Sequence, residues 1–571
     1  MQNGWEGKIA RTLVALAVVT AVATALVVDR VDSVALLVLA IVGMYAGLRY
    51  GFGRSLAPAE KWLVAIGAIY FGVALAAYLC GTETNLGFRV LGRYLRLLLL
   101  IPAYVALRRY TPPRWLVWSA LVVGAVVAAG SALVQYVTSG GVERAAGDSL
   151  AITFGDLALL TGFLAAVMVP QVAGPVRWWL RGAGIIGLAG GLVASVLSGT
   201  RGGWLAIPLL AALLIAAVTR GLSHRWRFGA FAAAVAIAAA VIAVPATGVQ
   251  ARIDEAIAGW HAYTQYRDNV AAVPKSTCIS SPVIAHGLAA LAVVSDHHAA
   301  RIEAVDDTAS LQAAGFAAAC RGGTVLHVTN PGSHDWTWVG ISRIVTHADL
   351  PGFAGVIARG DGRVRIVGSA EYRLHTQSYR KILLRGPASR YRDYVILGLG
   401  VPPGGELFVA PLELNPGAYR YFYTGTSVGA RLAMWGAAWD IFRAHWPFGV
   451  GTGAYRESAQ ALVDAGVAAP VAAVYDHPHN QYLNELANRG VIGFIEILLF
   501  LGFPAWLFAR RIRHADPAVR RPAYAGLMTM CAFAVFGLTE TIFNHSLVID
   551  YYVILTALFA ALMYERQGHG S

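Results

Sequence analysis

Apolar positions along this chain fall into long unbroken runs, where a half-buried strand would alternate and a soluble helix would show one stripe. Runs of roughly 17–25 residues are long enough to cross a hydrocarbon core of about 30 Å. Twelve are predicted as membrane helices, near 11–28, 33–49, 61–80, 95–109, 115–137, 151–170, 182–198, 203–219, 228–246, 491–509, 522–540 and 549–564. The first follows Lys8 and Arg11 but shows no small-residue cleavage site and is followed at once by a second run, so it reads as a retained helix rather than a signal peptide.

Basic residues gather in every second connection: Arg49, Arg54 and Lys61; Arg108, Arg109 and Arg114; Arg177 and Arg181; Arg220, Arg225 and Arg227; and Arg510, Arg511, Arg513, Arg520 and Arg521. Cytoplasmic loops carry such an excess, so both termini are expected in the cytoplasm, with an even number of spans. Arg89, Arg93 and Arg96 break the alternation, because they fall on the outward side before the fourth run.

The connection between the ninth and tenth runs is too long to be a plain loop and must hold structure of its own. The expected organisation is an N-terminal transmembrane region over 1–246 and an Ala-rich, helical periplasmic segment over 247–321. A strand-rich inserted domain follows over 322–415, then a helical periplasmic segment over 416–490 and a C-terminal transmembrane region over 491–571. Within the insertion, Thr324–Val328, Trp336–Ile344, Val364–Val367, Tyr379–Leu384, Tyr394–Leu399 and Glu406–Leu412 carry strand signals between Gly, Pro and Asp turns, and predict a small β-sandwich. Beyond it, Leu432, Trp435, Ala438, Trp439 and Phe442 mark one face of an amphipathic helix.

Composition agrees with a membrane protein. Of 571 residues, 57% are hydrophobic and only 13% charged, with a mean hydropathy of +0.57. The net charge of +13 resides largely in the short basic loops, which suit anionic headgroups, and nucleic acid is not an expected partner. Cys278 and Cys320 both fall in the long outward connection, where an oxidising compartment would permit a bridge, although two free thiols fit equally well.

Three short polar stretches can carry chemistry. Arg201 sits in Ser198-Gly199-Thr200-Arg201-Gly202-Gly203, a turn between two apolar runs on the outward side. An arginine there calls for an anionic partner such as a phosphate or carboxylate, or snorkels to the headgroups. Arg431 opens the amphipathic helix after Thr426 and Ser427, either of which could cap it. A helix N-terminus beside a guanidinium favours an anion, while a solvated surface arginine is the plain alternative. Asp476-His477-Pro478-His479-Asn480 places two imidazoles beside an acid just before a membrane helix, suited to activating a hydroxyl; ligands to complete a metal site are not evident. Asp156, Glu457 and Glu485 are acidic candidates without a fixed role. Trp336, Trp338, Tyr421, Tyr423, Trp435, Trp439 and Trp446 could stack on sugar rings or anchor at the interface.

Taken together and in this order, the Ser-Gly-Thr-Arg turn, Ser427-x3-Arg431-x3-Trp435 with Pro447-Phe448-Gly449-Val450-Gly451 after it, and His477-Pro478-His479-Asn480 running into Arg489-Gly490-Val491-Ile492-Gly493 resemble the O-antigen ligase/polymerase superfamily. The resemblance covers the C-terminal two-thirds of the chain. It implies a mainly α polytopic glycosyltransferase of the GT-C type, with about twelve transmembrane helices, in the bacterial inner membrane and with its active site on the periplasmic side. It also implies an undecaprenyl-diphosphate-linked glycan donor, a hydroxyl acceptor such as lipid A core, and no metal or cofactor. By the same resemblance His479 is the catalytic base and Arg201 and Arg431 engage the donor diphosphate; His477 and Asn480, neighbours of His479 in the chain, are candidates for support. A polysaccharide polymerase and a protein O-oligosaccharyltransferase share this donor chemistry, and a polysaccharide or lipid transporter is the reading from a different class. The strand-rich insertion departs from the family's compact helical loop and leaves the acceptor open.

Overall fold

A computed structural model describes residues 5–219 apart from 53–55, 83, 141–143 and 171–174, and residues 427–565 apart from 465–467 and 469. Between these it describes the strands and short connections named below, with isolated positions in 220–276. The chain divides into two compact units, one comprising Met1–Val244 with Met434–Ser571 and the other Pro245–Ala433.

The first unit is helical. Eight described helices are long and apolar enough to cross a membrane: Trp5–Thr24, Val31–Tyr50, Pro58–Cys80, Asn85–Arg109, Arg114–Thr138, Val176–Ser198, Gln481–Ala509 and Ser546–Tyr564. Ala151–Val167 and Ile207–Val218 are shorter apolar helices, and Pro517–Phe536 is a twenty-residue helix whose first turns carry Arg520 and Arg521. The predicted span at 228–246 lies outside the described residues.

The fourth span, Asn85–Arg109, extends well before the predicted run at 95–109. Its helix begins at Asn85, with Thr84 capping Gly87 at 2.8 Å, and tightens into a 3₁₀ stretch over Leu95–Leu99 before resuming. This lodges Arg96 inside the bundle, paired with the buried Asp550 and donating to Ser33 at 2.7 Å. An arginine that departed from the basic-loop alternation is thus a structural counter-ion.

The Gln481–Ala509 helix is interrupted at Gly490, which sits at φ 62°, ψ −150°. The break releases the carbonyls of Ala487 and Asn488, and the Pro447–Gly453 turn takes them up. Val450 N donates to Ala487 O at 3.0 Å, Gly451 N to Asn488 O at 2.8 Å, and Val491 N returns to Pro447 O at 2.8 Å. Irregular backbone inside a helical bundle is tolerated where neighbouring groups restore its hydrogen bonds in this way. A Cβ on Gly490 would fall 1.8 Å from Pro447 O, so this glycine is required by the close approach as well as by its φ.

The second unit is built on one nine-stranded antiparallel sheet. Its strands are β1 Thr277–Cys278, β2 Val293–Ser295, β3 Arg301–Asp306, β4 Thr324–Thr329, β5 Thr337–Val345, β6 Phe353–Ile366, β7 Tyr372–Arg385, β8 Tyr394–Val401 and β9 Glu406–Glu413. The order is β2-β5-β8-β6-β9-β4-β3, with β1 on β9 and β7 on β6. Two expectations are corrected here. Much of the 247–321 stretch expected to be helical from its alanines lies outside the described residues, and Ile257 and Trp260 within it are helical; from residue 277 onward it supplies β1, β2 and β3 with the short helix Thr308–Ala313, where pairing onto neighbouring strands overrides local helix preference.

The expected sandwich is instead a single curled sheet. β6 is long enough to pair β7 along its length while meeting β9 with its first half and β8 with its second. Its register shifts at Gly360, whose φ of 118° lets the strand bend, and the concave face closes over Leu326, Val339, Val356, Leu374, Leu399 and Val409. Trp336 and Trp338 carry Arg363 and Arg365 stacked at 4.2 and 4.0 Å, and Glu371 holds both guanidinium groups. These two indoles are therefore engaged within the sheet. The side chain of Cys278, and Cys320 altogether, lie outside the described residues.

Candidate functional site

The residues of Asp476–Asn480 follow the 3₁₀ turn Pro470–Ala473 and end where Asn480 caps the Gln481–Ala509 helix, its Oδ1 accepting from Leu483 N at 3.0 Å. The same asparagine donates through Nδ2 to Leu538 O at 2.9 Å, Gln481 N donates to Gly537 O at 2.8 Å, and Phe543 N donates to Gln481 Oε1 at 3.1 Å. These bonds fasten the histidine segment to residues 537–545, the connection between the last two helices. His479 itself has φ 50°, a left-handed conformation costly for a histidine, held by the capped helix on one side and the turn on the other.

That connection delivers Glu540, which is buried, and His479 Nδ1 lies 3.0 Å from both of its carboxylate oxygens. A carboxylate only accepts, so Nδ1 carries a proton, and the tautomer that acts as a base has its lone pair at Nε2. Burial alone would push the Glu540 carboxyl up, but the hydrogen bond from His479 and the neighbouring imidazoles bring it down to about 2. Glu540 therefore stays ionised at neutral pH and fixes both ring orientation and tautomer.

His477 stands beside this pair, its Nδ1 3.7 Å from Glu540 Oε1 and its ring 4.6 Å from that of His479. Burial lowers His477 to about 4, and burial likewise lowers His545, on which the charge of Arg93 also acts. Both are neutral at pH 7.

The sign of the resulting pH dependence follows from His477. Between its folded value near 4 and an ordinary unfolded value of about 6.5, the unfolded chain binds more protons, so stability is full above that window and declines as pH falls through it. Hydrogen exchange, corrected for intrinsic rates, is expected to show 476–480 and 538–545 opening more readily at pH 5 than at pH 7. In His477→Gln the extra opening should largely vanish. Equal protection at both pH values would contradict this assignment.

The Arg201 turn reaches the same region of the first unit. Ser198 Oγ donates to Ser195 O and meets Thr200 Oγ1, both at 2.7 Å, while Thr200 Oγ1 donates to Ala151 O at 2.8 Å. This fixes the entry into the single helical turn Arg201–Trp204. A Cβ on Gly202 would fall 2.0 Å from Thr539 Oγ1, so Gly202 packs directly against the residue before Glu540. Arg144, which sequence reasoning passed over, donates through Nε to Ser198 O at 2.7 Å and brings a second guanidinium to this turn. Arg431 is half-buried near the start of the Ser427–Ala444 helix. Thr426, one of its expected caps, lies outside the described residues.

His477, His479 and Glu540 offer ligand atoms all within 4.8 Å of one another, a set that could receive a metal ion. Its atoms already answer one another, because His479 Nδ1 faces the carboxylate and His477 Nδ1 faces His479 N at 3.4 Å. Of the other acidic candidates, Glu457 is exposed and Asp156 packs against the backbone of Gly203. Glu485 is buried and accepts from Tyr70 at 2.7 Å and from Arg489 Nε at 2.6 Å.

Comparison with known proteins locates the signal in the same stretch. A family model described as O-antigen ligase matches residues 394–498. An uncharacterized protein of Haemophilus influenzae (strain ATCC 51907 / DSM 11121 / KW20 / Rd) is 25% identical over 121 residues, which is 21% of this chain and 30% of that relative. The chain thus matches under a third of the relative's length. The family match takes in Arg431, the Pro447–Gly451 turn, His477–Asn480 and Gly490, and ends before Glu540.

Proposed function

On the premise that the chain carries an O-antigen ligase domain over residues 394–498, we propose that it is a glycosyltransferase of that superfamily, moving a glycan from undecaprenyl diphosphate to a hydroxyl acceptor at the periplasmic face of the bacterial inner membrane. The observation that carries the proposal is the His479–Glu540 pair, with Nδ1 at 3.0 Å from each carboxylate oxygen. The acceptor hydroxyl loses its proton to His479 Nε2 as its oxygen attacks the anomeric carbon. The bond from that carbon to the diphosphate oxygen breaks, and the electron pair leaves with the diphosphate. Arg201, beside the Glu540 loop, and Arg431, at the start of its helix, are assigned to the charge that grows on the leaving group. Single displacement inverts the anomeric carbon.

The basic-loop alternation supports a cytoplasmic location for both termini and an even number of spans, twelve by the sequence reading. Lipid A core is the favoured acceptor, with a second glycan unit or a protein hydroxyl as the alternatives within the superfamily.

Purified protein reconstituted with an undecaprenyl-diphosphate-linked glycan is expected to glycosylate one of these three acceptors and release undecaprenyl diphosphate at a rate unchanged by EDTA. Loss of activity in EDTA with recovery on adding a divalent ion would assign the His477–His479–Glu540 group to a metal instead. Movement of intact donor across the vesicle, with none consumed, would favour the transporter.

A further inference from the structure

At the far end of the helical unit lies a cavity of about 680 Å³, lined by Arg11, Tyr50, Val105, Arg108, Arg109 and Glu565 among others. The Ser546–Tyr564 helix begins next to His545 and ends next to Glu565, so its 19 residues put the cavity about 28 Å from the histidine site, at the opposite membrane face. The volume falls in the range of roughly 300–1,000 Å³ typical of small-molecule sites.

Its charges are unequally compensated. Arg108 is matched by Glu60 at 3.1 Å, and Glu60 also accepts from Tyr104. Glu565 is matched by Arg114 at 2.8 Å. That leaves Arg11 and Arg109, which no carboxylate pairs among the described residues. The Arg109 guanidinium lies 3.7 Å over the Tyr50 ring, and its Nε is buried without a hydrogen-bond partner. A cation clamped on one face, with an unsatisfied buried donor on its edge, is built to receive an oxyanion. Leu56 and Val105 supply apolar wall beside it.

We propose that this cavity binds the phosphate of an anionic phospholipid, with Arg11 and Arg109 holding the phosphate oxygens and the apolar wall accommodating the start of the acyl chains. The site is separate from glycosyl transfer and stands or falls independently of it. It would make the basic face of the helical unit a specific lipid contact, in place of a diffuse attraction to headgroups.

The test is native mass spectrometry of the full-length protein in neutral detergent, titrated with dioleoylphosphatidylglycerol, dioleoylphosphatidylcholine or inorganic phosphate. Wild type is expected to retain phosphatidylglycerol in preference to phosphatidylcholine. Arg11→Gln/Arg109→Gln should bind phosphatidylglycerol roughly thirtyfold more weakly, with phosphatidylcholine unchanged. Should the double variant fold poorly, Arg11→Gln alone, at an exposed position, should still weaken phosphatidylglycerol roughly fivefold. Equal phosphatidylglycerol affinity in wild type and variants would overturn the proposal. So would displacement of phosphatidylglycerol by inorganic phosphate at equal concentration, which would mark a free-phosphate site.

Discussion

Replacing His479 with alanine is expected to lower the rate of glycan transfer by about 10²–10⁴-fold, the range a positioned general base contributes, while leaving donor binding intact. In the proposed mechanism the base is distinct from its orienting partner: His479 Nδ1 faces both oxygens of Glu540 at 3.0 Å, and Nε2 is assigned to the acceptor. Glu540→Gln should reduce transfer by a comparable order, since an amide can donate to Nδ1 and favour the wrong tautomer, as in other acid-oriented imidazoles. The measurement is the initial rate with purified, reconstituted protein, beside equilibrium binding of the lipid-linked donor. A His479→Ala variant that kept more than a tenth of wild-type turnover would remove the imidazole from the chemistry. One that lost donor binding in proportion would make His479 a binding residue.

Arg489→Leu is expected to be the most destabilising single change in the helical unit, by about 3–5 kcal/mol. The buried guanidinium bridges Glu485 and Glu496, with Nε at 2.6 Å from Glu485, and lies 4.3 Å over the Tyr70 ring. Removing the cation leaves two buried carboxylates, one four residues before it and one seven residues after it, without their counter-charge. Thermal unfolding in detergent should show a markedly lower midpoint. The triple change Arg489→Leu/Glu485→Gln/Glu496→Leu should recover most of the loss, because it removes the whole buried group. If the triple variant were no more stable than Arg489→Leu, packing at position 489 rather than unpaired charge would be the cause. The network also adjoins the Gly490 break, so the charge cluster and the Pro447–Gly453 turn hold one irregular segment in place.

Much of this was legible from pattern. Among the described residues the long apolar runs form helices, because length and hydropathy are local properties. Thr324–Thr329, Tyr394–Val401 and Glu406–Glu413 form strands within a few residues of the positions their β-branched and aromatic residues predicted. How strands pair is not local. The single curled sheet in place of a sandwich depends on β6 finding three partners, and the alanine-rich stretch before 322 gave no periodicity from which its pairing to β4, β5 and β9 could be read.

The site divides in the same way. By itself the sequence determined the membrane character of the chain, the order of its segments, and the presence of His479, Arg201 and Arg431 at the ends of apolar or amphipathic runs, because each rests on residues that are neighbours along the chain. Only the tertiary structure decided that Glu540, 61 residues beyond His479, is its partner, that Arg144 meets the Arg201 turn, and that Arg96 answers Asp550. Glu540 left just one faint signal, an acid at the last position of the predicted 522–540 run. Pairings of this kind span tens to hundreds of residues, and they are selected by which buried charges and backbone groups must be satisfied once the helices have packed.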